Sequence, residues 1–443
     1  MRSSKSNKSF TQTSSPNFLK HSPTSHSDLH EISINALGGL GDGIADYNGK
    51  PLFIEKAAAG DHLHVRIINE TKETARGEIA EILQGGPDRT PAPCPHFSNC
   101  GGCSLQQLKE DSYREFKHRI FKDALTHAGF PNTHAELTFL PAASRRRVEF
   151  KIHHGDDGIS FAFYAPRSRD LVPVDSCLIL EPALQKLMKP LAEKLSDWYA
   201  VKAIKTLSLT MADSGIDMVL SCSSIPDNTN DLGVLAESLN IGRISLLAPG
   251  EKMFVASNNS PITMVLGGYD IPLPAGAFLQ ASKEGQRLLT EAVIKGVGSI
   301  TSVVDLFCGI GTYSFPLSKT AKVHAVENSP HMIKGLKASI ALHGLTGHLS
   351  AKQRDLFISP LLPKELGRYK AAIINPPRPG AKKQCEEIAK SSIDRVVMVS
   401  CNPASFARDA KTLGKAGFNL ESALAVDQFV YSPHLEIVAT FQR

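Results

Sequence analysis

The stretch Val396-Val-Met-Val-Ser-Cys-Asn-Pro403 is an apolar run that ends in a turn. Four successive apolar residues predict a strand buried on both faces, and Asn402-Pro403 ends it. The pattern predicts a thiol, Cys401, at the carboxyl end of a parallel strand, where open α/β sheets bind ligands. The strand alone favours Cys401 as a small buried hydrophobe, because most free cysteines are. The surrounding chain reverses that preference.

The C-terminal part of the chain alternates short apolar runs with helical patterns. Strands are predicted at residues 303–307, 322–327, 349–355, 371–375, 396–400 and 435–441. Regular alternation of this kind predicts a doubly wound, Rossmann-like sheet. We therefore predict an α/β fold whose C-terminal domain, residues 263–443, contains this sheet.

The first of these strands leads into a glycine turn, Asp305-Leu-Phe-Cys-Gly309-Ile-Gly311. Two glycines before a helix start let the backbone approach a ligand closely. The dinucleotide fingerprint needs a third glycine, which Ser314 replaces. With Glu327 at the end of the next strand, the turn instead suits a nucleoside with free ribose hydroxyls. Cys308, beside the turn, is expected to pack rather than to react.

Two further strand ends carry polar residues. Prolines in Ile373-Ile-Asn375-Pro-Pro-Arg-Pro-Gly380 fix a turn that holds the Asn375 amide, and Arg378 suits a phosphate. Glu436 lies in a strongly apolar strand, where lost hydration would raise its pKa and make it a better proton acceptor near neutral pH. The alternatives are a rigid connector and an ordinary carboxylate on an exposed strand face.

Cysteines are clustered upstream, in Cys94-Pro-His-Phe-Ser-Asn-Cys100-Gly-Gly-Cys103, and Cys177 follows in the same region. Three close thiols with one distant thiol suit a four-thiolate iron-sulfur cluster and also suit structural zinc, and the spacing does not choose. Eight cysteines without a signal peptide indicate a reducing compartment, so we expect a cytoplasmic protein.

The N-terminal part contains two kinds of sequence. Residues 1–29 are rich in Ser, Thr, His and Lys, and we expect a disordered tail there. Residues 30–86 hold short alternating strands separated by glycine turns, which predict a small β-barrel. Such a barrel is either a structural cap or a surface that contacts oligonucleotide phosphates.

The middle of the chain, residues 87–262, is predicted to be an α+β domain that contains the clustered cysteines. Residues 105–128 have a helical pattern, and three arginines precede a strand in Ser144-Arg-Arg-Arg-Val-Glu-Phe-Lys-Ile152. One face of that strand would carry Arg145, Arg147 and Lys151, which suits phosphate contacts and also an ordinary solvated strand end.

Composition limits these interpretations. The chain has 443 residues, of which 42% are apolar and 21% charged, values ordinary for a soluble globular protein of two or three domains. No apolar run approaches the length that spans a bilayer, so we expect no membrane partner. The net charge is only +5, so charge alone argues weakly for nucleic acid. We expect a monomer.

Together these motifs resemble the RNA (uracil-5-)-methyltransferase family, specifically its iron-sulfur, ribosomal-RNA-directed members. The resemblance extends from about Glu31 to the end of the chain, and its first part looks like a TRAM domain. It includes the segment Gly276-Ala-Phe-Leu-Gln280-Ala-Ser and the motifs Ser400-Cys-Asn-Pro403 and Pro433-His-Leu-Glu436.

The resemblance implies methylation of uridine carbon 5 in RNA, with S-adenosylmethionine as methyl donor and 23S ribosomal RNA as the expected substrate. Cys401 would add to carbon 6 of uracil, and Glu436 would remove the carbon 5 proton. Phe278 would help to hold the flipped base. A [4Fe–4S] cluster would be bound by Cys94, Cys100, Cys103 and Cys177. The cofactor site would be lined by Gln280, Phe307, Gly309, Gly311, Glu327, Asp355 and Asn375.

The chain departs from the family at two positions. Asn375 stands where Asp is usual, and Thr312 where a different polar residue is common. The alternatives are a transfer-RNA uridine-5 methyltransferase, a radical enzyme that cleaves S-adenosylmethionine, and a non-catalytic iron-sulfur RNA-binding protein. The five-residue first gap between the thiols and the fourth thiol, Cys177, count against the radical enzyme.

Overall fold

The computed structural model describes residues 29–156 and 158–443. The tail expected over residues 1–29 lies outside the described residues, apart from Leu29, which begins the first strand. The described residues form three large sheets and one two-stranded sheet, and all of their α-helices follow the strands of the first sheet in the chain. The mixed α/β fold that the sequence predicts is present.

The first sheet is built from six strands with no α-helix between them. It contains β1 (Leu29–Ser33), β2 (Ala36–Leu37), β3 (Gly43–Tyr47), β4 (Lys50–Ile54), β5 (His62–Glu70) and β6 (Ala75–Gln84). The strand order is β1-β5-β6-β4-β3-β2. Alternation puts Leu52 and Ile54 of β4, and Leu63 and Val65 of β5, in one small core. The predicted N-terminal β-rich domain is therefore present.

A helix and a strand separate the first sheet from the second. They are α1 (Glu110–Ala128) and β7 (Ala135–Phe139). The helix predicted from residue 105 begins five residues later and ends at Gly129, which adopts a left-handed conformation.

The second sheet has helices on one face only. Its elements are β8 (Arg147–Gly155), β9 (Gly158–Tyr164), β10 (Leu171–Pro173), α2 (Pro182–Ser196), β11 (Ile204–Met211), β12 (Ile216–Cys222), α3 (Asn230–Ser238), β13 (Arg243–Leu247) and β14 (Phe254–Asn258). The order is β10-β9-β8-β11-β12-β13-β14. Phe150 and Phe161 pack with Leu184 and Leu191 of α2, so the opposite face, with Arg147 and Lys151, is not covered by these helices.

The third sheet forms the C-terminal part, after a hairpin of β15 (Thr263–Leu266) and β16 (Tyr269–Pro272). Its elements are α4 (Lys283–Val297), β17 (Ser302–Leu306), α5 (Ser314–Leu317), β18 (Lys322–Glu327), α6 (Pro330–Leu342), β19 (Leu349–Gln353), α7 (Pro363–Leu366), β20 (Ala371–Ile374), α8 (Lys382–Ala389), β21 (Arg395–Ser400), α9 (Pro403–Lys415), β22 (Asn419–Asp427) and β23 (Glu436–Gln442). The order is β19-β18-β17-β20-β21-β23-β22-β7.

The predicted C-terminal strands are all present, with bounds within two residues of those expected. Two strands of the third sheet were not expected. β22 pairs with β23, and β7 pairs in parallel with β22. A strand from the segment assigned by sequence to the middle domain therefore lies in the C-terminal sheet.

Among the described residues, no helix combines the length and the apolar character that crossing a membrane requires.

Candidate active site

Cys401 lies at the carboxyl end of β21, where Asn402 caps α9. The Asn402 side-chain oxygen accepts a hydrogen bond from the Ala404 N–H at 3.0 Å, and its amide donates to the Arg378 carbonyl at 3.3 Å. Burial raises the pKa of Cys401 to about 11; the charge of Glu436 adds to this rise, and Arg378 opposes it. The turn therefore fixes a half-buried thiol close to a carboxylate and a guanidinium.

Glu436 is the first residue of β23. β21 and β23 run antiparallel with Ser400 opposite Ile437, so the next pair in that register is Cys401 and Glu436. Glu436 is only 3% exposed. This loss of hydration raises its pKa to about 7, which suits a proton acceptor near neutral pH. The sheet brings together the two residues to which the resemblance assigns the chemistry.

Gln428, just after β22, holds the Glu436 carboxylate. Its Nε2 donates to Glu436 Oε2 at 2.9 Å and to Gln280 Oε1 at 2.8 Å. All three side chains are buried. Gln280 Nε2 reaches the Tyr313 hydroxyl at 3.5 Å. Sequence reasoning missed Gln428 because it belongs to no motif of recognisable spacing.

The glycine turn after β17 brings backbone N–H groups to the same edge of the sheet. Phe307, Gly309 and Gly311 have positive φ angles of 62°, 57° and 87°. The Gly309 N–H donates to Glu327 Oε2 at 3.1 Å, and the two N–H groups that follow Glu327 donate to its Oε1 at 2.8 and 2.9 Å. Glu327 is thereby fixed at the end of β18, beside the turn.

Asp355 follows β19 and Asn375 follows β20, two strands that are separated in the sheet by β18 and β17. Asp355 Oδ1 accepts hydrogen bonds from two backbone N–H groups that follow it, at 2.9 and 3.3 Å, which fixes the loop after β19. The Asn375 N–H donates to the Leu306 carbonyl at 3.1 Å. The rings of Phe307 and Phe357 are 5.4 Å apart. The expected cofactor residues other than Gln280 therefore lie around the carboxyl ends of β17 to β20. Gln280 is connected to this edge by its contact with the Tyr313 hydroxyl.

The four clustered thiols are each partly buried. Burial, with smaller contributions from the neighbouring thiols Cys94 and Cys100, raises the pKa of Cys103 to about 11 and that of Cys177 to about 12. In the described part of the chain, no three Cys, His, Asp or Glu side chains converge to hold a single metal ion. Four thiols within mutual electrostatic reach are nevertheless a donor set that fits a four-iron cluster, in which each thiolate binds a different iron.

The loop that carries three of these thiols is held from two sides. Lys56, in the turn after β4, donates to the carbonyls of Ser98 at 3.1 Å and Cys100 at 3.0 Å. The Gly101 N–H donates to the Tyr164 carbonyl at 2.9 Å. A Cβ atom at position 101 would lie 2.7 Å from that carbonyl oxygen, so this close approach requires glycine.

Arg146, in the basic run before β8, is buried and positions the segment that contains Gln280. Its Nε donates to the Gln280 carbonyl at 2.9 Å, and a terminal nitrogen donates to Gln286 Oε1 at 2.6 Å. The neighbouring residue, Arg145, lies near Cys177. Burial lowers the pKa of the Arg145 guanidinium, and the charge of Cys177 partly opposes this change. From the sequence we predict a phosphate contact for Arg145 and no role for Arg146. In the structure Arg145 instead lies beside Cys177, and Arg146 binds the Gln280 segment.

Arg147 and Lys151 lie on the face of the second sheet that α2 and α3 do not cover. The Arg147 guanidinium lies 4.2 Å from the centre of the Phe278 ring, which is 62% exposed. Lys151 lies 5.6 Å from the Tyr164 ring and pairs with Glu149 at 2.6 Å. This face therefore combines cations with exposed aromatic rings, as surfaces that bind single-stranded nucleic acid do.

A family model described as tRNA (uracil-5-)-methyltransferase matches residues 117–443. A protein of Caulobacter vibrioides named "Uncharacterized RNA methyltransferase" is 34% identical, over 94% of this chain and 100% of that protein. The 23S rRNA (uracil(1939)-C(5))-methyltransferase RlmD of Shewanella amazonensis is 29% identical, over 96% of this chain and 99% of that protein.

The fold is similar to a solved structure. The crystal structure of Pyrococcus abyssi tRNA (uracil-54, C5)-methyltransferase, in complex with S-adenosyl-L-homocysteine, superposes with a TM-score of 0.70. The two chains are 20% identical, and the match covers 93% of this chain and 100% of the other. At this identity the likeness concerns the fold.

Proposed function

The chain belongs to the tRNA (uracil-5-)-methyltransferase family and is an RNA (uracil-5-)-methyltransferase, and on that premise we propose that it methylates a ribosomal RNA uridine through a covalent bond to Cys401. S-adenosylmethionine is the methyl donor of the proposal, because the Pyrococcus abyssi structure contains its demethylated form, S-adenosyl-L-homocysteine. The observation that carries the proposed mechanism is the pairing of a thiol and a desolvated carboxylate, Cys401 and Glu436, across β21 and β23.

The covalent step answers a chemical problem. Carbon 5 of uracil is too weak a nucleophile to take a methyl group unaided. The Cys401 thiolate adds to carbon 6, and the electron pair of the carbon 5–carbon 6 double bond moves into an enolate that makes carbon 5 nucleophilic. Arg378, whose charge lowers the pKa of Cys401, favours the thiolate. Bound S-adenosylmethionine supplies an electrophilic methyl group to carbon 5.

Glu436 completes the reaction. After methylation, carbon 5 still carries its original hydrogen. The Glu436 carboxylate takes this proton, the electron pair of the carbon 5–hydrogen bond re-forms the double bond, and the carbon 6–sulfur bond breaks to return the Cys401 thiolate. The raised pKa of Glu436, about 7, makes it a stronger base than an exposed glutamate.

The proposed cofactor site lies at the edge formed by β17 to β20. Glu327 is the acceptor for ribose hydroxyls, and the glycine turn lets the backbone approach the nucleoside. Asn375 offers both a donor and an acceptor where the family usually has only an acceptor. Gln280, Phe307, Gly309, Gly311 and Asp355 complete the proposed set.

Cys94, Cys100, Cys103 and Cys177 are the proposed ligands of a [4Fe–4S] cluster, which would join the loop of the first three to the strand end before Cys177. Support comes from the influence of Cys94, Cys100 and Cys103 on the pKa of Cys177, which requires these thiols to lie near one another. Anaerobically purified protein should contain iron and inorganic sulfide in equal amounts, and Cys177→Ser should lower both. Bound zinc without iron would contradict the cluster.

Ribosomal RNA is the proposed substrate because the Shewanella amazonensis relative, named for 23S rRNA uracil 1939, aligns over nearly the whole of this chain. Transfer RNA is the second candidate, since the family description and the Pyrococcus abyssi structure both name it. The face with Arg147 and Phe278 is the proposed contact for the strand around the flipped base. The monomeric state and the cytoplasmic location remain predictions.

One experiment tests substrate and mechanism together. Labelled methyl transfer is measured with 23S ribosomal RNA and transfer RNA transcripts, for the wild type, Cys401→Ala and the control Cys385→Ala, whose thiol is buried on α8. We expect transfer to ribosomal RNA that only Cys401→Ala abolishes. RNA containing 5-fluorouridine should crosslink to the Cys401 peptide, because fluorine cannot leave as a proton does. Transfer retained in Cys401→Ala would remove the thiol from the mechanism.

A further inference from the structure

Gln428 has no role in the proposed mechanism, yet its amide contacts the catalytic carboxylate directly. We propose that Gln428 is a positioning residue that holds Glu436 by Oε2 and so leaves Oε1 as the oxygen that receives the uracil carbon 5 proton. This inference rests on the proposed function, because it needs Glu436 to act as the base.

Both hydrogens of the Gln428 amide are used. One is donated to Glu436 Oε2 at 2.9 Å and the other to Gln280 Oε1 at 2.8 Å. All three side chains are buried, with exposures of 2%, 3% and 6% for Gln428, Glu436 and Gln280. Water therefore has little access to replace these bonds, and Glu436 Oε1 is left without a partner from this amide.

The orientation of the amide is determined by its neighbours. Reversing it would place Gln428 Oε1 against two oxygen acceptors, which is unfavourable in a buried site. In the observed orientation Oε1 has no hydrogen-bond partner among the described residues. It lies close to Gly285, where an added Cβ would be 2.8 Å from it. The glycine at the start of α4 thus gives the side chain room to direct Nε2 at both acceptors.

This bond is compatible with both states of the base. As a carboxylate, Glu436 accepts from Gln428 at Oε2 and presents Oε1. When the carbon 5 proton moves to Oε1, its bonding electron pair re-forms the carbon 5–carbon 6 double bond and the sulfur of Cys401 departs as thiolate. Oε2 is then the carbonyl oxygen of the neutral acid, which still accepts the same hydrogen bond. No rearrangement of Gln428 is required during the transfer.

The groups that face Glu436 allow a pH profile to report on it. Cys401 at the end of β21 has a pKa raised to about 11, and the pKa of Tyr313, before α5, is raised well above 10. Burial lowers the pKa of His434 to about 4. Asp305, on the β17 side of Tyr313, has a pKa that burial raises to about 7. Because Asp305 is present in both the wild type and the Gln428 variant, a difference between their pH profiles reports on Glu436. The hydrogen bond from Gln428 lowers the pKa of Glu436.

The test follows the last chemical step in Gln428→Met, which keeps the length of the side chain and removes the amide. Release of tritium from [5-³H]uridine RNA and decay of the protein–RNA adduct are measured in single turnovers between pH 6 and 9. We expect adduct formation to continue, its resolution to slow by roughly ten- to a hundredfold, and the pH profile of resolution to shift upward. Gln384→Met is the matched control, since its buried amide makes two hydrogen bonds with Leu361, away from Glu436.

The outcomes separate the two proposals. If the wild type forms no adduct, the covalent mechanism itself fails. If the wild type forms the adduct, and Gln428→Met resolves it at the wild-type rate with an unchanged pH profile, Gln428 has no positioning role. A Gln428→Met protein that does not fold is replaced by Gln428→Asn, which is one methylene too short to reach both oxygens. Normal resolution in that variant would overturn the inference, and slowed resolution with an upward shift would support it.

Discussion

Glu436 shows how burial sets both the reactivity and the energetic cost of one side chain. Its pKa rises from 4.5 to about 7 because the carboxylate is removed from water. The protonated form is therefore favoured in the folded state, and ionising it in place costs about 3 kcal/mol. The same cost that makes Glu436 a better base lowers the stability of the protein above neutral pH.

Glu436→Gln should therefore be more stable than the wild type at high pH. The stability contributed by protonated Glu436 is present below pH 4.5 and is lost as the pH rises through about 7. Urea unfolding followed by circular dichroism should show a difference near zero at pH 4.5 that grows to about 3 kcal/mol in favour of the variant at pH 8. A difference that did not change with pH would contradict the raised pKa.

At the scale of single elements, the glycine turn after β17 contains two glycines with different requirements. Gly309 and Gly311 both have positive φ, but an added Cβ would meet nothing within 4 Å at Gly309. At Gly311 it would lie 3.0 Å from side-chain atoms of Leu336 and Phe315. Gly309 is needed for its backbone conformation alone, whereas Gly311 is needed also for packing.

The two alanine variants should differ accordingly. Gly309→Ala should lower the free energy of unfolding by about 1 kcal/mol, the cost of a left-handed conformation for a residue with a Cβ. Gly311→Ala should lower it by about 2–4 kcal/mol, because a steric clash is added. Urea unfolding without cofactor measures both. Equal losses would mean that Leu336 and Phe315 move aside freely.

The strands of the third sheet show what local sequence can predict. β20 and β21 were predictable because both of their faces are buried and their sequences are almost continuously apolar. β17 and β18 keep enough buried Val, Ala and Leu residues to be predicted, although Asp305 and His324 interrupt their apolar runs. β22 was missed because an irregularity between Leu420 and Ser422 breaks its alternation. β7 was missed because it is half-exposed and pairs with a strand nearly 300 residues away, about which its own five residues carry no information.

The site was predictable to the same extent. Cys401 follows an apolar strand and Glu436 begins another, so the sequence predicts where both residues lie. Their proposed roles come from the family resemblance. The contacts of Gln428 and Arg146 could not be predicted from the sequence. Their function depends on contacts with Gln280, which is 148 residues from Gln428 and 134 from Arg146, and no spacing rule connects such positions.

Helix α1 is joined to the C-terminal sheet by a buried ion pair. Lys117 Nζ lies 2.6 Å from Asp427 Oδ1, both side chains are at most 1% exposed, and the ammonium also donates to the His434 carbonyl at 2.8 Å. Tyr113 donates to the second oxygen of Asp427. The pair thus connects α1 to the segment that leads into Glu436.

Lys117→Met should destabilise the protein by about 3–5 kcal/mol, because it leaves the Asp427 carboxylate buried without its cation. Adding Asp427→Asn should restore part of that loss, since a neutral amide can still accept from Tyr113. Urea unfolding of the two variants measures the difference. A double variant less stable than Lys117→Met would show that the charge of Asp427 is compensated by other groups.

At the scale of the whole molecule, the second sheet contacts the segment that leads into the C-terminal part of the chain, beside the candidate site. Arg146 binds the Gln280 segment, and Arg147, one residue later, donates to the Leu279 carbonyl at 3.0 Å and stacks on Phe278. One short basic run therefore fixes the Gln280 segment through Arg146 and, through Arg147, places a partly buried cation against the exposed ring of Phe278. Under the proposed function, this arrangement would couple RNA contact on the second sheet to the chemistry on the third.

Arg147→Ala should accordingly weaken RNA binding by about tenfold at low salt, the loss of one charge-assisted contact, and should reduce the slope of log Kd against log salt concentration by about one. The matched control is Lys186→Ala, an exposed cation on α2, which packs on the opposite face of the same sheet. Filter binding of a uridine-containing RNA across a salt series measures both variants. Because Lys186 lies behind the sheet, its removal should leave affinity and slope nearly unchanged, and equal losses in the two variants would mean that RNA is attracted by the overall charge of the protein rather than held on the face of Arg147.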